Sequence, residues 1–278
     1  MSEIRSHTSI SQQITETLNN GFGLLEKPVQ EEIAGFIAGC QHESGLFVSR
    51  GNSPDLYYSL FGAWMAAALE LSTPIEKLRA YFLHHEPEVT WSAEKYSSLM
   101  IRHLVINGNF KKPGILSLLS SLSGKETQVG LPYRFFLLSL AYDTLYRTGA
   151  PARLLARLPL AFYRISGDAP CSYHAAIIIA RLTAGMKAER EGEHLMTFFR
   201  EGKGFVAFNH LDESDLLSTA VALFALKRAG RDLRLVVPGC LEMIGENYRY
   251  GAFVSGDGDE TRDLEYTFYG LLALGALE

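Results

Sequence analysis

Three aspartates stand in the same local setting, at the head of Asp55-Leu-Tyr-Tyr-Ser59, Asp215-Leu-Leu-Ser-Thr219 and Asp263-Leu-Glu-Tyr-Thr267. A carboxylate at a helix start caps free N–H groups and gains roughly 0.3–1 kcal/mol from the helix N-terminus. If such starts converge on one mouth, the same carboxylates become acid, base or ligand contacts, so Asp215 and Asp263 are candidate catalytic groups and Asp55 a ligand contact. Tyrosines recur in the same elements: Tyr58, Tyr133, Tyr173 and Tyr266 are candidate ligand contacts, and Tyr96 occupies an equivalent slot. They read either as core aromatics whose hydroxyls bond neighbouring repeats or as an aromatic wall for an apolar or cationic guest. Arg134 and His174 replace small residues of the pattern. A buried Arg134 calls for an anion, from a neighbouring Asp or from a phosphate or carboxylate ligand. His174, which follows Asp168, Cys171 and Tyr173, is a candidate proton-transfer group, with a satisfied core histidine as the plainer reading.

The elements that position these residues repeat. Gly45-Leu-Phe47, Gly204-Phe-Val206 and Gly251-Ala-Phe253 lead into the three Asp elements, and each is followed by a strongly apolar stretch. Anchors at Tyr58, Tyr96, Tyr133, Tyr173, Ser218 and Tyr266 give steps of 38, 37, 40, 45 and 48 by subtraction, hence six repeats. Phe61 to Leu71, Ala175 to Leu182, Ala220 to Leu226 and Phe268 to Leu277 are apolar on nearly every face, as buried helices are. Pro28 to Cys40, Pro74 to His85 and Lys187 to Arg200 are amphipathic. An inner ring of buried helices within an outer ring of amphipathic ones satisfies both patterns, so the expected fold is all-α, an (α/α)6 toroid. Thr73-Pro74-Ile75-Glu76 predicts a capping box, and Ser53-Pro54 a similar start for the first inner helix. Gly and Pro clusters at 108–114, 149–151, 167–170 and 202–204 predict turns.

Composition fixes what such a fold is used for only by exclusion. Of 278 residues, 47% are hydrophobic and 21% charged, which is globular rather than disordered. A net charge of -5 with no basic run argues against a nucleic-acid partner. Cys40, Cys171 and Cys240 are widely spaced among apolar neighbours and read as buried thiols. The polar stretch 1–20 lacks a signal-peptide core, and no apolar run reaches the roughly 20 residues of a spanning helix, so the expected location is the cytoplasm.

The Gly-Phe lead followed by Asp-Leu-x-Tyr/Ser-Thr/Ser resembles the repeat of protein prenyltransferase β subunits and of terpenoid cyclases of the squalene-hopene type, most clearly over Asp263 to Leu272. The resemblance runs from about Pro28 onward. It implies a single toroid domain over 21–278 after an N-terminal extension, 1–20, with a central cavity for a prenyl diphosphate or other lipid, a transferase or cyclase activity, and a protein partner subunit. In the transferases an Asp/Cys/His set holds zinc. Asp215 matches the Asp, but Leu217 and Tyr266 stand at the Cys and His places, so neither metal nor cofactor is expected. The cyclase Asp-x-Asp-Asp is also missing, its nearest counterpart being Asp257-Gly-Asp259-Glu260 in a Gly-rich turn. Two other classes stay open: a non-catalytic ligand-binding or partner-subunit scaffold, and an (α/α)6 glycosidase using paired carboxylates such as Asp55 and Asp263.

Overall fold

A computed structural model describes residues 8–86, 92–106, 110–112, 114, 131–146 and 157–278. In chain order the helices are α1 (Ile10–Gly23), α2 (Lys27–Gly39), α3 (Leu56–Ala68), α4 (Ser72–His84), α5 (Ser92–Val105) and α6 (Leu131–Tyr146). They continue with α7 (Cys171–Thr183), α8 (Glu189–Leu195), α9 (Leu216–Arg228), α10 (Val237–Glu246) and α11 (Leu264–Leu277). Two small antiparallel hairpins interrupt them, β1 (Phe199–Arg200) with β2 (Gly204–Phe205) and β3 (Tyr248–Arg249) with β4 (Ala252–Phe253). The chain is therefore mostly helical. The expected turn at 149–151 and residues 108, 109 and 113 of that at 108–114 fall outside the described residues.

The repeated element explains itself locally. Asp55, Asp215 and Asp263 are the N-caps of α3, α9 and α11, accepting from the amides of Tyr58, Ser218 and Tyr266 at 2.9, 2.7 and 2.8 Å. The fifth residue turns its hydroxyl back onto the preceding Phe: the Phe47, Phe205 and Phe253 amides donate to Ser59, Thr219 and Thr267 at 2.8, 3.0 and 3.3 Å. Two of those rings then lie on glycines of the helix they precede, Phe47 on Gly62 and Phe253 on Gly270, where a Cβ would come within 2.4 Å of the ring. Tyr250 and Gly251 both have positive φ, 44° and 84°, the paired left-handed residues that a tight two-residue hairpin needs.

α3, α9 and α11 are buried on nearly all sides, having no polar face to offer water. α3 packs on α5, α5 on α6, α6 on α7, α7 on α9, α9 on α11, and α11 on α3. α2, α4, α8 and α10 are shorter or amphipathic helices set against this sequence of neighbours.

Three sequence expectations change. Thr73 is not a cap: α4 starts at Ser72 with Leu71 in the cap position and no side-chain bond, because the helix begins two residues early and places Pro74 within its first turn. Asp55, rather than Ser53, caps α3. The boundary expected near residue 20 falls inside α1, a helix whose Ser9 and Gln12 form a reciprocal capping box and whose Ile10, Ile14 and Leu18 are buried. Their spacing of four marks one apolar stripe within a polar stretch. The Ile10 amide donates to Asp143 of α6 at 2.7 Å, and the Trp64 indole of α3 donates to Ser11 at 3.0 Å. Gly21 and Gly275 bring the backbones of α1 and α11 together. Every one of these partners belongs to the C-terminal half of its helix, opposite the Asp caps.

Candidate functional site

Between the buried helices lies a cavity of about 170 Å³. α3 contributes Tyr57, Phe61 and Trp64, α11 contributes Phe268 and Tyr269, and α9 contributes Leu217, Val221 and Phe224. α5, α6 and α7 complete the wall, with Ile14 of α1 also lining it. The rings are packed on one another: Phe61 and Phe268 are 4.9 Å apart, and Trp64 stacks on Phe268 at 5.6 Å. The lining is mostly aromatic and aliphatic, with Ser97 and Ser172 among its few polar residues. Ser172 and Leu217 also line a second, more polar space of about 690 Å³ at the N-terminal ends of α7 and α9. Its carboxylates are Asp212, Glu213, Asp215 and Asp257, Tyr266 borders it, and among the described residues no Lys, Arg or His lines it.

The polar groups gather where α3 meets α11. Tyr57 donates its hydroxyl to Glu265 at 3.0 Å. Arg50, in the loop before α3, pairs with Asp263, donates to Asp259 at 2.7 Å, and lies 5.2 Å from the Tyr266 ring centre. The Glu265 carboxyl is raised to about 7, chiefly by burial and also by Asp263, against the opposing effects of Tyr57, Arg50 and Tyr58. Burial likewise raises the Asp215 carboxyl, with hydrogen bonds from Ser218 opposing. One Asp215 oxygen caps α9, and the other is buried with no hydrogen-bond partner.

The residues singled out in the sequence are divided by the structure. Asp215 and Tyr266 border the polar space, Asp263 and Tyr58 belong to the seam beside it, and Asp55 is a cap. Tyr96 is core. Tyr173 is half-buried and, like Arg134, which is 8% exposed, lines neither space. The Tyr133 side chain lies outside the described residues. Cys171 and Cys240 are buried, but Cys40 is only half-buried, and all three are free thiols. Asp259, in the exposed Gly-rich turn, also holds Arg50.

Glu265, Arg50 and Tyr57 escaped the sequence reading. The signal was the third position of the five-residue element, where the first and fifth are occupied by cap and hydroxyl. That position carries Tyr57, Leu217 and Glu265, and its counterpart before Tyr173 is Ser172. Tyr57, Ser172 and Leu217 line the cavity, so the variable slot is the one turned toward it.

His174 is elsewhere. Its ring is 4.6 Å from His194 and 5.3 Å from Phe198, against α8 and the turn after it, and its Nε2 has no partner. Burial and the neighbouring His194 lower its pKa to about 4, against the opposing effect of a backbone bond to Ser166. A depressed imidazole stabilises the fold above its unfolded pKa of about 6.5, and that stability drains away as pH falls toward 4. His174→Phe is therefore expected to flatten the fall of the melting temperature over this window. An unchanged profile would show that His174 does not titrate with unfolding.

The chain matches no family model, no curated protein and no solved structure. The class that fold and site define is a mostly helical protein with an aromatic cavity opening beside a carboxylate-lined cleft. Among the described residues no group of three His, Cys, Asp or Glu side chains is arranged to hold a metal, and no helix is long and apolar enough to cross a membrane.

Proposed function

We propose that the chain is an (α/α)6 toroid that binds an isoprenoid, or an apolar molecule of similar shape, in its central cavity, the polar end of the ligand lying toward the carboxylate-lined cleft. The observation that carries this reading is the cavity wall: α3, α5, α6, α7, α9 and α11 all contribute to it, α1 contributes Ile14, and the lining is almost entirely aromatic and aliphatic. A transferase or cyclase activity belongs to this proposal, with the seam of Tyr57, Glu265 and Arg50 as its polar machinery. A diphosphate head is poorly served, because the cleft offers four carboxylates and Arg134 is not among its lining residues. The glycosidase alternative is weakened by the engagement of Asp55 and Asp263 as caps, the second of them also paired to Arg50.

Ala176→Phe tests the reading, since Ala176 lines the cavity and is 6% exposed. The larger ring is expected to cost about 1–3 kcal/mol in overpacking and to abolish uptake of a lipid ligand, followed by native mass spectrometry of protein from its own host. Retention of the same lipid by a folded Ala176→Phe protein would place binding elsewhere. Wild-type protein that carries and takes up no lipid would leave the scaffold reading in front.

A further inference from the structure

We infer that the guest of the apolar cavity is a compact, uncharged molecule, no bulkier than a substituted benzene ring, whose single hydroxyl or carbonyl bonds to Ser97. This rests on the cavity reading above and adds the size and the functional group of the ligand.

Ser97 of α5 is 1% exposed, lines the cavity, and its hydroxyl has no hydrogen-bond partner. Helix hydroxyls elsewhere in the fold have two outlets. Thr15, Thr17 and Thr183 donate to the carbonyl four residues back, at 3.0, 2.7 and 2.8 Å. Ser59, Thr219 and Thr267 follow the anchors Tyr58, Ser218 and Tyr266 as Ser97 follows Tyr96, and they accept from the Phe amide ahead of their helix. Ser97 does neither. A buried hydroxyl left unpaired is costly, and the space that Ser97 lines is where a partner from outside the chain can lie.

Water fits that space poorly. A buried water is held by about three hydrogen bonds, whereas this wall is mostly aromatic and aliphatic. Tyr57 and Trp64 already give their protons to Glu265 and Ser11. A guest that is itself mostly apolar and carries one polar group matches the wall better.

Size and charge narrow the class. At about 170 Å³ the cavity is close to the roughly 150 Å³ in which an engineered apolar cavity holds benzene. Among the described residues no charged side chain lines it, so an ionised group inside would lose its hydration and gain no counter-charge. A serine hydroxyl both donates and accepts, and so pairs with an alcohol, a phenol or a ketone. The class is that of phenols and monocyclic alcohols or ketones, isoprenoid ones included.

Three probes share one ring and differ in a single substituent: p-cresol, p-xylene and p-toluate, titrated into the full chain by calorimetry at neutral pH. The cresol and the xylene are expected to bind and the carboxylate is not. Ser97→Ala should weaken p-cresol roughly tenfold, about 1.4 kcal/mol, and leave p-xylene unchanged. The same variant should melt no lower than the wild type, since the hydroxyl it removes bonds nothing within the fold. Uptake of p-xylene alone, a cresol-to-xylene ratio unaltered by Ser97→Ala, or a lowered melt overturns the role of Ser97, and xylene uptake then still supports the apolar cavity. Binding of p-toluate as tightly as p-cresol overturns the uncharged class. Failure of both p-cresol and p-xylene to bind overturns the cavity reading as well.

Discussion

Gly275→Ala is expected to destabilise the protein by about 3 kcal/mol or more, a drop of roughly 6–12 °C in melting temperature. A Cβ at Gly275 would lie 1.8 Å from the Thr17 carbonyl oxygen and 2.9 Å from the Gly21 amide nitrogen. From the other side, a Cβ at Gly21 would lie 2.1 Å from the Leu271 oxygen. These are backbone atoms of two packed helices, so no rotamer change relieves the clash, and α1 must move off α11. Alanine's better helix propensity returns only about 1 kcal/mol. Gly23→Ala in the same helix is the control, because nothing lies within 4 Å of its added Cβ, and it should leave the melt unchanged or slightly raised. Equal behaviour of the two variants in thermal denaturation would show that α1 does not seat on α11 at these glycines.

Arg50→Ala is expected to cost about 2–3 kcal/mol, less than the loss of a fully buried pair because Arg50 is 37% exposed. Its partner Asp263 is only 5% exposed, and removal of the guanidinium leaves a carboxylate oxygen without its cation in a region already populated by Glu265 and Asp259. Asp263→Asn retains an oxygen for the Tyr266 amide and removes the charge. The double variant Arg50→Ala/Asp263→Asn should therefore recover most of the loss, giving a coupling energy of about 1–2 kcal/mol by chemical denaturation. Strict additivity would mean that the pair contributes nothing to the seam.

The repeat was legible because backbone chemistry enforces it. An Asp cap and a hydroxyl that accepts from the preceding Phe amide recur at Asp55, Asp215 and Asp263, and a glycine lies under the Phe ring at the first and third of these. The site was less legible for the complementary reason. The cavity is lined from the third slot by Tyr57, Ser172 and Leu217, which, like Glu265 in the same slot of α11, share no chemistry and so leave no pattern. Arg50 sits in an irregular loop, and its partnership with Asp263, 213 residues away, is set by tertiary packing alone. His174 looked chemical because of its neighbours in sequence, but a helix turns successive residues to different sides, and this one faces His194. α1 was hidden by composition: only Ile10, Ile14 and Leu18 signal its buried stripe among polar residues.

The contact of α11 with both α1 and α3 has a kinetic consequence. A ribosome delivers α11 after every helix it must join, and it meets partners more than two hundred residues behind it. Each earlier helix can settle on its predecessor as it emerges, through contacts of modest sequence separation, but the seam waits for the longest loop closure in the domain. Until then Phe61 and Trp64 face no Phe268, and the nascent chain presents its aromatic interior to solvent or to a chaperone. A small molecule able to occupy that interior would act on folding yield as well as on the finished protein, by favouring the closed state over its open precursor.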